Sequence, residues 1–364
     1  MRKKILVLIN NDVGMYKTKK EIVEALVDDY EVYLSLPNGP YIEEFEKKGC
    51  HFIDTEIERR GKNPITDMKL FLKYKTMMKK IEPMCVLTYT IKPNIYGALA
   101  ARLQRIPILM NVTGLGSGME NRGIFQKFIS GLYISSVKKS AVVFFQNSRN
   151  QEYFLKRISN MKNNVLIPGS GVNLKEHQAL AFKDDQNIDF GFVGRVMKEK
   201  GIDELLEAAQ ELKKQNYKVD FHIAGFFDEN YQDKLENLEV AGIIKYHGLV
   251  DDIDDFFEKM DCVVLPSYSE GMANAILEAA ACAKPVIASD IAGCKEAIDD
   301  GKTGFLCEAR DADSLKECMV KFTKLTTEER KQFGQQARAK MEKYFDRQIV
   351  VNKYLEKIDE IKQI

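Results

Sequence analysis

The stretch "DCVVLPSYSEGMANAILEAAACAKPVIAS" (residues 261 to 289) decides the fold. It opens on the apolar run "DCVVLP" (261 to 266) and closes on "KPVIAS" (284 to 289), and the segment between them reads as a buried helix. Short apolar runs of this kind, separated by a helical length, are the signature of a βαβ unit with two parallel strands. Ser267 to Met272 then sit at the carboxyl edge of a sheet, where open α/β sheets bind ligands. Two carboxylates fall in this segment, Glu270 in the loop and Glu278 in the helix.

The same alternation extends outward in both directions. Upstream, strands are expected at "DFGFVG" (189 to 194), "DFHIAG" (220 to 225) and "IIKYHG" (243 to 248), and downstream at "GFLCEA" (304 to 309). An earlier series comprises "KILVLI" (4 to 9), "EVYLSL" (31 to 36), "CVLTYT" (85 to 90), "PILMNV" (107 to 112), "AVVFFQ" (141 to 146) and "NVLIP" (164 to 168). Two doubly wound parallel sheets follow, of α/β class. The polar segment "GVNLKEHQALAFKDDQN" (171 to 187) lacks a β pattern and marks the break. The expected domains are 1–173, 174–344 and a terminal helix, 345–364, set off by a bend near Phe345 and Asp346. No repeat of solenoid period is present.

Length and composition bound the function. A chain of 364 residues, 45% hydrophobic, buries two sizeable cores. The apolar run "ILVLI" is too short for a signal peptide core, and no run approaches a membrane span, so a cytosolic location is expected. Seven cysteines form no CxxC pair and four histidines show no ligand spacing, so neither a disulfide frame nor a metal is expected. Neither GxGxxG nor GxxxxGK[ST] follows a first strand, which argues against hydride transfer and P-loop chemistry. The net charge is zero, but residues 1 to 173 carry 27 basic and 16 acidic side chains, so the first half prefers anions. Either the two halves attract one another or the basic half meets an acidic surface. No nucleic-acid motif appears.

Around the decisive stretch, other residues converge on the same sheet edge. Asn274 is a candidate cap, beyond which the first unpaired helix amides suit phosphate oxygens. Eight helical positions give about 80° of net rotation and up to about 12 Å of rise, so Glu270 and Glu278 suit two ends of one extended ligand rather than a shared proton. In "GFVGRVMKEKG" (191 to 201), Arg195 and Lys200 flank a strand-to-helix turn. Two such cations opposite a helix amino end make a diphosphate site, although a lone Arg or Lys in a loop is more often simply solvated. In "YHGLVDDIDDFF" (246 to 257), Gly248 lets backbone approach a planar ring such as a nucleobase. His247 alone is equally a packed or solvent-facing ring.

Gly194-Arg195 with Lys200-Gly201, Glu270-Gly271-Met272-Ala273-Asn274 through Glu278, and "AKPVIASDIAGCKEAIDDGKTGFL" (283 to 306) together resemble the retaining GT-B glycosyltransferases of glycosyltransferase family 4. "TIKPNIYGALAARLQRIPILMNVTGLG" (90 to 116), "FQNSRNQEYF" (145 to 154) and "IPGSGVNL" (167 to 174) are similar to the branch that extends polyprenyl-diphosphate-linked sugars in capsule, O-antigen and N-glycan assembly. The resemblance implies two Rossmann-like domains facing across a cleft, with the C-terminal helix returning to the first. It implies a UDP-sugar donor, transfer of a hexose or N-acetylhexosamine with retention, and no metal cofactor. Arg195 and Lys200 would hold the diphosphate, Glu270 the sugar hydroxyls and Glu278 the ribose, with Gly14, Gly194, His247, Gly248, Gly271, Met272, Ala273 and Asn274 lining the nucleotide-sugar site. Many members carry a histidine near the reacting carbon, where this chain has Thr113-Gly114, and no histidine occurs between His51 and His177. That favours proton transfer by the substrate itself.

For the acceptor, Lys17, Lys92 and Thr113 are the candidate residues, placed near a lipid-linked diphosphate. "DMKLFLKYKTMMKK" (67 to 80) and "IFQKFISGLYISSVKK" (124 to 139) mix lysines with Leu, Phe and Met. Each can lie on an anionic bilayer, on the inner face of the cell membrane, or be an amphipathic helix packed on the sheet. A soluble acceptor, a nucleotide-sugar epimerase and a non-catalytic nucleotide-sugar-binding protein are the rival readings.

Overall fold

Thirteen strands, each parallel to its neighbours, alternate with helices in the computed structural model, which describes residues 2–58, 61, 63–114, 124–183 and 187–363. The chain forms two units, Met1–Ser170 with Gln348–Ile364, and Gly171–Arg347.

The first unit holds β1 (Lys4–Leu8), β2 (Glu31–Leu36), β3 (His51–Asp54), β4 (Cys85–Tyr89), β5 (Ile108–Val112), β6 (Val142–Phe145) and β7 (Asn164–Leu166), in the order β3-β2-β1-β4-β5-β6-β7. Every residue of β4, β5 and β6 is buried, as expected of parallel strands covered on both faces. Alternate residues serve opposite cores. Ile5, Val7, Leu87, Leu109 and Phe144 pack on one side, and Leu6, Leu8, Val86, Met110 and Phe145 on the other. β3 is absent from the sequence expectation because it is an edge strand of four residues, none of them buried, and so shows no apolar run.

The first of these cores is closed from the far end of the chain. The helix Arg347–Lys362 contributes Val350, Val351, Tyr354, Ile358 and Ile361, spaced to share one helical face. Tyr354 stacks on Phe144 at 4.1 Å, and its hydroxyl accepts a 2.6 Å hydrogen bond from Asn111 Nδ2. Burying each such large apolar side chain stabilises the unit by about 1.5–3 kcal/mol.

The second unit holds β8 (Ile188–Val193), β9 (Val219–Ala224), β10 (Lys245–Gly248), β11 (Cys262–Leu265), β12 (Val286–Ser289) and β13 (Gly304–Cys307), in the order β10-β9-β8-β11-β12-β13. This is the doubly wound order, with the chain reversing direction across the sheet between β8 and β11. The division between units falls at Ser170 rather than after residue 173. Val172 N–H donates to Phe345 O at 2.8 Å and Arg347 N–H to Val172 O at 3.0 Å, and this pairing holds both strands of the connection to the second unit. The bend at Asp346 (φ −55°, ψ 128°) then starts the last helix.

Candidate active site

Three loops at the carboxyl edge of the second sheet are fastened to one another. The loop after β8 carries Gly194 and Arg195 and ends in the turn Lys198–Lys200 and Gly201. Gly201 has φ +71°, and a Cβ there would lie 2.0 Å from Pro266 O, so only glycine lets the turn press against the end of β11. Tyr268 N–H donates to Glu199 O at 2.9 Å, which fixes the 267–273 loop on that turn. From the other side, Ala273 N–H donates to Gly293 O at 2.9 Å, and Gly293 (φ +91°) sits where a Cβ would come within 2.7 Å of Gly271 O.

The clamp brings Lys200 Nζ into direct contact with Glu270 Oε1, with the two side chains 18% and 11% exposed. Arg195 Nη1 donates to Asp228 Oδ2 at 2.6 Å while 42% of its side chain stays exposed. Both predicted cations therefore lie on the predicted edge, and each is already held by a carboxylate. That holds two long side chains in place ahead of a ligand.

The helix that follows is Asn274–Ala281. Its cap position is Ala273, without a capping side chain, and Asn274 is its first residue; the expectation of an Asn274 cap is corrected. The helix amino end is thus left without a side-chain oxygen, in the loop that carries Glu270. Met272 and Ala273 are buried in the core of the unit, so they can meet a ligand only through backbone atoms. Residues 271–273 are not helical, so the Glu270 to Glu278 interval is not the continuous helix used to reckon their separation. Glu278 is half-buried one turn into the helix.

His247 sits at an irregularity of the sheet edge. The ladder between β10 and β9 shifts register between Tyr246 and Gly248, which makes His247 the extra residue of a bulge. Its Nε2 lies 2.9 Å from His222 Nδ1, and His222 Nε2 lies 3.0 Å from Asp189 Oδ1. Burial first, and neighbouring His222 second, push the His247 imidazole below its usual value. One ring nitrogen is thus taken by a protein partner, while the residue as a whole stays exposed. Gly248 (φ +64°) has open space where a Cβ would be, and its carbonyl accepts from Gly225 N–H at 2.7 Å.

In the first unit the candidates are rearranged. Gly14 donates its N–H to Asn11 Oδ1 at 2.5 Å, and a Cβ there would run into that cap's carboxamide. Lys17 is exposed on the helix Asp12–Val27, whereas Lys19 turns inward with Met15, Ile22 and Leu26. Lys19 Nζ donates to Ser170 Oγ at 3.2 Å and lies over the Tyr89 ring. The helical phase of 15, 19, 22 and 26 was the signal for it. Lys92 pairs with Asp67 at 2.7 Å, and Tyr96 donates to the same carboxylate at 2.8 Å. Thr113 follows β5 directly and is half-buried; residues 115–118 of the stretch read with it lie outside the described residues. Thr90, after β4, has φ +67°, and its buried hydroxyl has no hydrogen-bond partner among the described residues. A β-branched residue held in this backbone region is strained, and composition does not reveal it.

Known proteins match both units. The family "Glycosyl transferase 4-like" matches residues 4–147, and "Glycosyl transferases group 1" matches residues 173–340. The chain is 28% identical, over 96% of both sequences, to the N,N'-diacetylbacillosaminyl-diphospho-undecaprenol alpha-1,3-N-acetylgalactosaminyltransferase of Campylobacter jejuni. It is also 28% identical, over 71% of both, to the UDP-Gal:alpha-D-GlcNAc-diphosphoundecaprenol alpha-1,3-galactosyltransferase of Escherichia coli. Its fold resembles that of Anabaena HepE, solved with UDP and glucose, at TM-score 0.80 and 17% identity over 99% of this chain and 100% of that one. With the first unit matched by one family and the second by the other, the chain belongs to the GT-B glycosyltransferases, its first half glycosyl transferase 4-like and its second half of group 1.

Proposed function

We propose that this glycosyltransferase moves a hexose or N-acetylhexosamine from a UDP-sugar to a polyprenyl-diphosphate-linked saccharide, with retention of configuration and without a metal cofactor. The observation that carries the reading is the clamped edge of the second sheet, where Lys200 meets Glu270, Arg195 leaves the neighbouring strand β8, and the helix Asn274–Ala281 starts without a side-chain cap. Two cations and a helix dipole are what a leaving diphosphate needs where no metal neutralises it. In this reading the bond between the sugar and the diphosphate breaks while the acceptor hydroxyl attacks the same face. The hydroxyl proton passes to the departing phosphate oxygen. Glu270 holds sugar hydroxyls, and Glu278, on the helix, holds the ribose. The names of the Campylobacter and Escherichia relatives, both acting on diphospho-undecaprenol saccharides, support the acceptor class.

A place on the inner face of the cell membrane fits the helix Pro64–Ile81. No helix among the described residues is long and apolar enough to cross a membrane. That helix nevertheless exposes Ile65, Met68 and Leu72, spaced along one stripe, beside exposed Lys69, Lys75, Lys79 and Lys80. Lys73 Nζ instead donates to Asp54 O at 2.7 Å. An apolar stripe flanked by lysines is the pattern of a helix lying on an anionic surface.

The test is release of UDP from a panel of UDP-sugars, with and without polyprenyl-diphosphate saccharide, in excess chelator. Acceptor-dependent release that survives chelation supports the reading. Release with soluble sugars alone turns it to the soluble-acceptor rival, binding of UDP without turnover to the non-catalytic one, and rescue only by Mg²⁺ or Mn²⁺ overturns the metal-free chemistry.

A further inference from the structure

At the carboxyl end of the helix Asn274–Ala281, three residues far apart in sequence meet. His177 Nδ1 lies 2.7 Å from Asp254 Oδ1, and Cys282 Sγ lies 3.3 Å from the same oxygen. Taking one donor atom from each, all three fall within 4.8 Å of one another. Cys282 is fully buried and the His177 side chain is 13% exposed. The backbones that carry them are fixed within the second unit. Arg338 Nη1 donates to both His177 O (2.5 Å) and Ala281 O (2.7 Å), and Leu180 N–H donates to Cys282 O at 3.1 Å. Asp252 caps the helix Ile253–Glu258 through Asp254 N–H at 2.9 Å, holding Asp254 at its start.

We infer that His177, Asp254 and Cys282 form a binding site for a soft divalent cation of the zinc type, none of the three ligands being among the residues assigned to sugar transfer. An imidazole, one carboxylate and a thiol are the nitrogen, oxygen and sulfur donors such ions take, whereas Mg²⁺ and Ca²⁺ require oxygens. Zn–N near 2.0 Å and Zn–S near 2.3 Å place tetrahedral donors roughly 3.3–3.7 Å apart, so His177 and Asp254 need part by only about half an ångström. Without an ion, Asp254 Oδ1 accepts from both neighbours, and burial, Asp254 and Glu278 keep the Cys282 proton in place. On binding, the Cys282 S–H proton leaves to solvent as the sulfur–metal bond forms, and the imidazole presents Nδ1 as a lone pair with its proton on Nε2. Glu278, one turn before Cys282, adds negative charge that acts on both His177 and Cys282. Solvent takes the fourth position.

The experiment titrates the full chain, stripped by chelator and exchanged into clean buffer, with Co²⁺. One equivalent should bind with a thiolate-to-cobalt charge-transfer band in the near ultraviolet, and Zn²⁺ should displace it. Cys282→Ser should abolish the band, His177→Gln should weaken binding at least tenfold, and Cys318→Ser, outside the cluster, should change neither. Because a thiol proton must leave, and a second one wherever the His177 imidazole is protonated, affinity should fall at least about tenfold for each pH unit lowered. Urea midpoints identify any variant that has lost its fold. A wild-type chain without the band at millimolar cobalt, or a band unchanged in Cys282→Ser, overturns the site.

Discussion

Replacing Lys200 with alanine removes the ammonium that touches Glu270 and leaves that carboxylate, 11% exposed, with one cation fewer. Two losses follow, and they can be separated. The pair is more buried than a surface ion pair, worth about 0–1 kcal/mol, but less than a fully buried one, whose disruption costs about 3–5 kcal/mol. Stability should therefore fall by roughly 1–2 kcal/mol, read as a shifted urea midpoint. Turnover should fall by on the order of 10²–10³, because one preorganised charge facing the leaving group is gone. The double variant Lys200→Ala/Glu270→Ala isolates the first loss: with neither charge left buried, its urea midpoint should recover most of what Lys200→Ala gives up, while release stays low because Glu270 is itself assigned to the sugar. The second loss is read on Lys200→Ala alone, under conditions where it is fully folded. A folded Lys200→Ala enzyme with near wild-type acceptor-dependent UDP release would refute the assignment.

Other consequences are as direct. Gly201→Ala puts a methyl 2.0 Å from Pro266 O at φ +71°, so it should destabilise by more than about 1 kcal/mol and depress turnover by displacing Lys200; an unchanged urea midpoint would contradict this. Lys284 is fully buried, donating to Ala181 O and Glu258 O, and burial pushes its ammonium down to about 8. Its folded pKa lies below the unfolded value, so the unfolded chain binds the extra proton between pH 8 and about 10.4. Stability from this residue therefore rises with pH across that window and is at its lowest below pH 8. At ~1.4 kcal/mol per pH unit the span is worth on the order of 3 kcal/mol, so Lys284→Met should gain on wild type at pH 7 and lose that lead by pH 10; a gap in urea unfolding that does not narrow speaks against it. On anionic liposomes, Met68→Asp/Leu72→Asp, or glutamine at Lys69, Lys75, Lys79 and Lys80, should abolish flotation, each lysine contributing roughly 1 kcal/mol; flotation equal to wild type would leave the helix with a structural role alone.

What could be read from sequence follows from distance along the chain. Parallel strands buried on both faces announce themselves as apolar runs, which is why β4, β5, β6 and β11 were legible and the exposed edge β3 was not. Arg195, Lys200 and Glu270 were legible because loops after strands always gather at one sheet edge. Their partners were not, since Glu270 is 70 residues from Lys200 and Asp228 is 33 from Arg195. Lys92 looked like a free cation because nothing local shows Asp67 folding onto it. The place of His247 was not legible because a bulge shifts a strand's phase without a marker in composition. The His177, Asp254 and Cys282 cluster has no spacing at all to recognise.

The helix that closes the first unit also sets a timetable. Residues 348–363 are translated after the whole of Gly171–Arg347, so Phe144, Tyr89 and Asn111 wait for Tyr354 while 177 intervening residues are made. At about 5–20 residues per second, that is roughly 10–35 s during which one apolar face of the first sheet is uncovered. The second unit, contiguous in sequence, can mature within that interval. Synthesis and maturation thus run in opposite orders, and a ribosome that stops near residue 346 releases a chain whose earliest-made half is the unfinished, aggregation-prone part.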